Sequence, residues 1–236
     1  MRFLFIIIIC FVPFFVSAKE KVIFVTHPIP LMVESENKGV FIDLIHKFFE
    51  KTDVEVEIML LPRNRAFDYF RNKKALILFP GVGPEPLGDT YLKTVNFYEK
   101  RDYLFYRKGD HYSSMQSLKG KIVGITNAYP YAQEILETKG VHFETAPSDE
   151  INFTKLGKKR IDAFLVEEFS GLSALKSSGA QGIVYDKEKP LSKLPVYMAV
   201  RDCEEGKKWY RFLNEKLKEM NKNAPLMDVV RAQFNP

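Results

Sequence analysis

The residues with the most evident chemical use stand in Lys119–Glu137, KGKIVGITNAYPYAQEILE. Their spacing predicts a strand over 121–125, a glycine-containing turn through Thr126–Asn127–Ala128, and a helix opening at Pro130 with Ala132, Ile135 and Leu136 on one face. Proline suits a first helical position, where its missing N–H would have no partner. A strand feeding a helix in this way aims backbone N–H groups at open space, with the positive end of the helix dipole behind them. Such a turn can hold a carboxylate or another acceptor-rich group. An ordinary βα connection that binds nothing has the same pattern. Other chemistry finds little footing. His27, His46, His111 and His142 are scattered, and no metal-ligand spacing links them with cysteine or acids. There is no G-x-S-x-G elbow. Gly81–Val82–Gly83 lacks the third glycine of a dinucleotide fingerprint, and no Lys-Ser or Lys-Thr pair follows it. Neither a metal nor a cofactor is expected, and no catalytic residue is assigned.

The elements that must position this turn repeat a pattern. Val22–Thr26 reads as a buried strand ending in the rigid loop His27–Pro28–Ile29–Pro30. Gly39 opens a helix with Phe41, Leu44, Ile45 and Phe48 in one stripe. Val54–Leu60 alternates as a half-exposed strand, a second helix covers 64–72, and Ala75–Phe79 is an apolar, central strand. After an aromatic strand over Tyr103–Arg107 the alternation restarts. Strands are expected over 121–125, 141–145 and 161–166, helices over 131–138, 150–158 and 169–177, then short strands at 182–185 and 196–200. A last helix carries Trp209, Phe212, Leu213 and Leu217. Two βαβ blocks predict two α/β units with parallel sheets and a cleft. Ligands of such sheets sit beyond the carboxyl ends of the strands. In the first block those ends are His27–Pro30, Leu61–Arg65 and Pro80–Glu85.

Before all this, Met1–Ala18 has a basic start, the apolar run FLFIIIICFVPFFV, and Val16 and Ala18 at the spacing of a signal-peptidase site. The run is broken by Pro13 and is short for a membrane span. It reads as a cleaved export signal, and the remainder as a periplasmic protein. Only Cys203 then remains, so no internal disulfide forms. The formal net charge of +5 is mild and spread along the chain, and does not argue for nucleic acid.

From about Val22 to Phe234 the chain resembles the family 3 extracellular solute-binding proteins, the amino-acid-type periplasmic binding proteins of ABC transporters. The matching segments, in family order, are GVFIDLIHKFFEK, LPRNRAFDYFRN, ALILFP, FYEKRDYLFYRKG, SLKGKIVGITNAYPY, KLGKKRIDAFLVEE and PLSKLPVYMAVRD. The resemblance implies a type II periplasmic-binding-protein fold: two α/β lobes, two hinge crossings and a ligand cleft between them. The first lobe would span 19–107, the second 108–195, and 196–236 would cross back and complete the first. It implies a monomer that captures a small polar, amino-acid-like ligand for a membrane permease. The alternatives are a sensory protein presenting its ligand to a receptor, or an exported enzyme of lyase or dehydratase type.

The family's carboxylate-binding arginine falls at Pro86 here, so a bidentate contact is missing. Arg65 or Arg63, at the end of the second strand, could reach the cleft instead; Arg65 either meets the ligand or caps or pairs on the surface of the helix it opens, and Arg63 is expected to face solvent. Tyr129 takes the place of a small hydroxyl residue, and Tyr129 and Tyr131 either line the cleft or pack in the core. Glu167 stands where the family pairs the ligand amino group, or else it caps the following helix. His27 occupies the place of a covering aromatic, and Phe79 and Pro80 form an apolar floor.

Overall fold

The computed structural model describes residues 19–83, 87, 90–223 and 225–232. The expected export segment Met1–Ala18 and the position of Pro86 lie outside the described residues. The first block is β1 (Glu20–Thr26), α1 (Val40–Phe49), β2 (Val54–Leu60), α2 (Arg63–Arg71) and β3 (Ile77–Val82). A short β4 (Tyr91–Lys93) and the long β5 (Tyr98–Arg107) lead out of it. The second block is β6 (Ile122–Thr126), α3 (Gln133–Leu136), β7 (His142–Ala146), α4 (Asp149–Gly157) and β8 (Ala163–Glu167). Then follow α5 (Glu168–Ser178), β9 (Ile183–Tyr185), β10 (Ser192–Arg201), α6 (Glu204–Asn223) and α7 (Leu226–Ala232).

The strands run in the order β2-β1-β3-β10-β5-β8-β6-β7, with β4 on β10 and β9 on β5. In each block the first strand lies between the other two and pairs parallel with both. The blocks meet through β5 and β10, which run antiparallel. The first half of each, Tyr98–Asp102 and Ser192–Val196, pairs with the other. Beyond that, β5 turns its ladder to β8 and β10 turns its ladder to β3. The partner changes at Asp102 and at Val196. The crossing therefore lies inside two continuous strands, not in loops.

Packing follows the sequence pattern. The stripe on α1 is buried, and Phe24 of β1 meets Phe49 and Phe79 edge-on with ring centroids 5.9 and 5.7 Å apart. Phe49 also packs on Trp209 and Phe212 of α6, at 5.6 and 5.0 Å. The C-terminal helices thus complete the core of the first block, and Leu226 and Val230 of α7 join it. The second core is built on Phe105, Phe153 and Phe164, linked edge-to-face at 5.3 and 5.0 Å. Each such buried side chain contributes about 1.5–3 kcal/mol.

Three differences from expectation bear on the site. β5 begins five residues before Tyr103, because Glu99 and Arg101 alternate with the buried Tyr98, Lys100 and Asp102 and hide the strand among charges. The helix expected at Pro130 is a single turn over Gln133–Leu136. The Tyr131 hydroxyl accepts from the Thr126 N–H (2.9 Å) and donates to the Leu165 carbonyl (3.2 Å), which holds the segment off a helical path. Gly124 belongs to β6 rather than to the turn. A Cβ there would lie 2.6 Å from both Asn152 Oδ1 and Ile161 Cδ1, so its absence lets α4 close on the strand.

One glycine fixes the loop that follows β1. Gly39 caps α1 with φ 131°, and a Cβ would stand 2.5 Å from the Met32 carbonyl oxygen. That carbonyl accepts from Phe41 N–H at 3.0 Å, and Leu31 O accepts from Val40 N–H at 3.2 Å, so the loop supplies the partners of the first helical turn. Gly39→Ala is expected to destabilise the fold by about 2–4 kcal/mol through strain and clash. Urea unfolding would register this as a lower midpoint at unchanged slope.

Candidate functional site

A cleft of about 180 Å³ opens between the carboxyl ends of β1 and β3 on one side and those of β6 and β8 on the other. At about 30 Å³ per water it holds roughly six waters, or one small solute. The first block gives it an apolar wall of Ile29, Met32, Phe41, Pro80 and Val82, with His27 and Arg63 at one end. Ile29 and Met32 come from a tight turn closed by two hydrogen bonds between Ile29 and Val33, 3.0 and 2.8 Å. The second block gives Asn127, Ala128, Tyr129 and Pro130 from the turn after β6, with Glu167 and Ser170 from the start of α5. The crossing strands supply the floor: Tyr98 and Lys100 from β5, and Val196 from β10.

Of the residues expected from sequence, the structure brings His27, Pro80, Tyr129 and Glu167 into this cleft, and it leaves Arg65, Tyr131 and Phe79 out. Arg65 is exposed. Arg63, expected in solvent, is the arginine that lines the wall, its guanidinium lying 4.3 Å over the Phe67 ring. The reason is helical phase. Arg63 is the first residue of α2 and pairs with Phe67 one turn on, whereas Arg65 points to the opposite side. Phe79 sits inside β3 with its ring in the core against Phe24, and only its neighbour Pro80 reaches the cleft. Tyr131 is consumed by its two backbone hydrogen bonds.

Glu167 caps the following helix, one of the two roles expected for it, and lines the cleft as well. Its Oε2 accepts from Ser170 N–H at 2.9 Å and so caps α5. Its Oε1 accepts from the Tyr98 hydroxyl at 2.7 Å, tying the floor to the second block. Burial raises the Glu167 pKa, opposed by the Ser170 backbone, the Tyr98 hydroxyl and Lys100. Lys100 is itself buried in an ion pair with Asp102, whose other oxygen accepts from Ser192 Oγ at 2.6 Å. The ion pair lies within β5, and the Ser192 hydrogen bond carries it across to β10.

The turn after β6 is held from behind. Thr126 Oγ1 donates to Asp149 Oδ1 (2.5 Å) and accepts from Asn152 Nδ2 (3.1 Å), and the Tyr129 hydroxyl donates to Asp149 Oδ2 (3.2 Å). Burial and the Asp149 carboxylate hold the Tyr129 hydroxyl well above its usual range, so it remains a donor. Ala128 adopts φ 61°, a left-handed conformation that costs a non-glycine residue about 1–2 kcal/mol. Strain of this kind concentrates where a fold fixes an exposed group for use. The one-turn α3 brings no helix dipole to the turn.

His27 is 8% exposed, with its ring against Phe67 (centroids 5.9 Å) and its buried Nδ1 without a hydrogen-bond partner among the described residues. Burial, then the Arg63 charge, lowers its pKa to about 3. The lining residues missed from sequence are chiefly Tyr98, Lys100, Arg63 and Ser170. A signal existed for the first two, since Tyr98, Lys100 and Asp102 share one face of a strand.

No protein-family model and no curated protein matches the sequence. Solved structures do match it over nearly its whole length. An ancestral arginine-binding protein bound to glutamine superposes with a TM-score of 0.68 at 20% identity, covering 92% of this chain and 98% of that one. The chain has the type II periplasmic-binding-protein fold. In that fold the two blocks are the two lobes, and β5 and β10 are the hinge crossings between them. The substrate-binding protein of an amino acid ABC transporter is similar at TM-score 0.67 and 17% identity, over 92% of this chain and 100% of its own. A histidine kinase sensor domain with similarity to periplasmic binding proteins reaches 0.71 at 16% identity, over 91% and 96%.

The buried neutral imidazole gives a pH prediction. Below about 6.5 the unfolded chain protonates His27 and the folded one does not until about pH 3. The His27 contribution to stability is therefore complete above pH 6.5 and is lost as pH falls, by at most about 3–5 kcal/mol. Glu167 and Asp149, both raised, titrate in the opposite sense. Replacing the ring by His27→Phe keeps the contact with Phe67. The wild-type minus variant stability, measured by urea unfolding from pH 7 to pH 4, is expected to decline steadily with acidification. A flat difference would show that His27 titrates normally.

Proposed function

We propose that this is an extracellular or periplasmic solute-binding protein that captures a small polar, amino-acid-like ligand between its lobes. The observation that carries this is the composition of the cleft: each lobe and both crossing strands contribute to one small space with separate apolar and polar walls. A ligand can touch both walls only when the lobes are closed. Its binding energy then favours the closed form over the open one. The lobes divide inside the crossing strands, at 98–102 and 192–196, earlier in β5 than the boundary at 107 expected from sequence. We place the ligand's acidic group at Arg63, its donor groups at the Glu167–Tyr98–Ser170 cluster and the turn 127–129, and its side chain against Met32, Phe41 and Val82. His27 Nδ1 offers one further polar contact. Pro80 and Tyr129 line opposite walls, and Lys100 keeps the floor polar. No catalytic step is needed, since Glu167 is engaged in capping and hydrogen bonding.

Delivery to the membrane permease of an ABC importer is the destination consistent with the family 3 resemblance, with the protein acting as a monomer. The likeness to a histidine kinase sensor domain supports a second reading, presentation of the same ligand to a receptor. Among the described residues no helix is long and apolar enough to cross a membrane.

The placement separates two arginines that sequence alone does not. A thermal-shift screen of the common amino acids identifies a ligand for calorimetry with Arg63→Ala and Arg65→Ala. Arg63→Ala is expected to weaken binding at least tenfold, as loss of a charge-assisted contact of about 1.5–3 kcal/mol implies, while Arg65→Ala leaves it unchanged. Equal effects of the two substitutions would overturn the placement.

A further inference from the structure

Behind the crossing strands lies a second cavity, of about 290 Å³, that the cleft does not use. Alternation along β5 separates the two: Tyr98 and Lys100 face the cleft, and Arg101 faces this rear space. The same division falls between consecutive acids at the end of β8, with Glu167 in front and Glu168 behind. Tyr185 of β9, Lys187 and Glu188 line it from the second lobe, and Arg231 of α7 from the first.

Glu168 is 6% exposed. Its Oε1 accepts from the Tyr185 hydroxyl at 3.1 Å. Its Oε2 is buried and has no hydrogen-bond partner among the described residues, and Arg231 Nη2 stands 4.0 Å away. That distance is too long for a hydrogen bond. A buried carboxylate oxygen left open in this way is unfavourable, and a donor recovers the loss. Room for roughly ten waters is more than one bridging water requires.

The charges around the cavity narrow what the donor belongs to. Arg101 is taken by Glu99 at 2.7 Å, which leaves Lys187 and Arg231 as cations beside the acids Glu168 and Glu188. A simple cation would meet those two cations, and a simple anion would meet the two acids. Among the described residues no group of three or more His, Cys, Asp or Glu is placed to hold a metal ion. A molecule carrying both charges satisfies all four groups. We propose that the rear cavity is a second ligand site, taking a small amino acid whose ammonium donates to Glu168 and whose acidic group meets Lys187 and Arg231. Such a ligand bridges α7, which is packed into the first-lobe core, to α5 and β9 of the second lobe. It holds the lobes together on the side of the hinge away from the cleft, so occupancy of one site alters affinity at the other, reciprocally.

The test uses the full chain with fluorotyrosine incorporated, its Tyr185 and Tyr129 resonances assigned by Tyr185→Phe and Tyr129→Phe. The first reports the rear site and the second the cleft. L-glutamate is the probe; glutarate, lacking the amine, and butylamine, lacking the acid, are controls. The expected result is a saturable shift of the Tyr185 resonance with L-glutamate, at least tenfold weaker with either control and in Glu168→Gln. Lys187→Ala, at an exposed position, repeats the test should Glu168→Gln fail to fold. Movement of the Tyr129 resonance alone, a response to glutarate equal to that of L-glutamate, or no response of Tyr185 would overturn the proposal.

Discussion

Everything in this molecule depends on five residue pairs in the first halves of two long strands. β5 and β10 carry the chain between the lobes, and they pair with each other only over Tyr98–Asp102 and Ser192–Val196. The pairing is anchored by a buried charge cluster, in which Asp102 meets Lys100 and Ser192. A buried ion pair of this kind adds little net stability against apolar packing, but losing one partner strands the other and costs about 3–5 kcal/mol. It therefore fixes the register of the crossing more than it strengthens it. Because the crossing is ladder rather than loop, relative motion of the lobes is confined to bending and twisting of two strands. That restriction lets a small cleft keep its geometry on closing.

The walls of the cleft show how each lobe uses the same parallel block differently. In the first lobe, two prolines and Gly39 force the loop after β1 into a tight turn that presents apolar side chains. In the second, the equivalent loop is held by Thr126, Asp149 and Asn152, and presents polar groups and a strained Ala128. Tyr98 and Glu167 join the two across the floor. The N-cap of α5 is thus also a wall of the cleft, so a ligand contact at Glu167 is felt by the helix behind it, whose next residue faces the rear cavity.

Much of the architecture is legible in the sequence, since amphipathic stripes and apolar strands recur in two blocks. α1 starts one residue after Gly39 as its pattern dictates, and the end of β8 delivers Glu167 where a parallel strand should place a ligand group. What escapes the sequence is phase and competition. Arg63 and Arg65 differ by two positions on a helix, and only the observed start of α2 decides which enters the cleft. Tyr131 looks like a cleft aromatic, but its hydroxyl is spent on two backbone groups, and this also removes the helix that Pro130 appeared to open. Lys100 and Asp102 read as surface charges in FYEKRDY, because burial of a charge is set by a partner strand far along the chain.

The most direct test of ligand capture is native mass spectrometry of the protein after incubation with the small-molecule fraction of a cell extract. It is run beside Ala128→Trp, which fills the cleft from an exposed turn position. The account predicts one added small mass on the wild type that vanishes on mild denaturation and is absent from the variant. A bare wild-type mass, or the same added mass on both proteins, would contradict it.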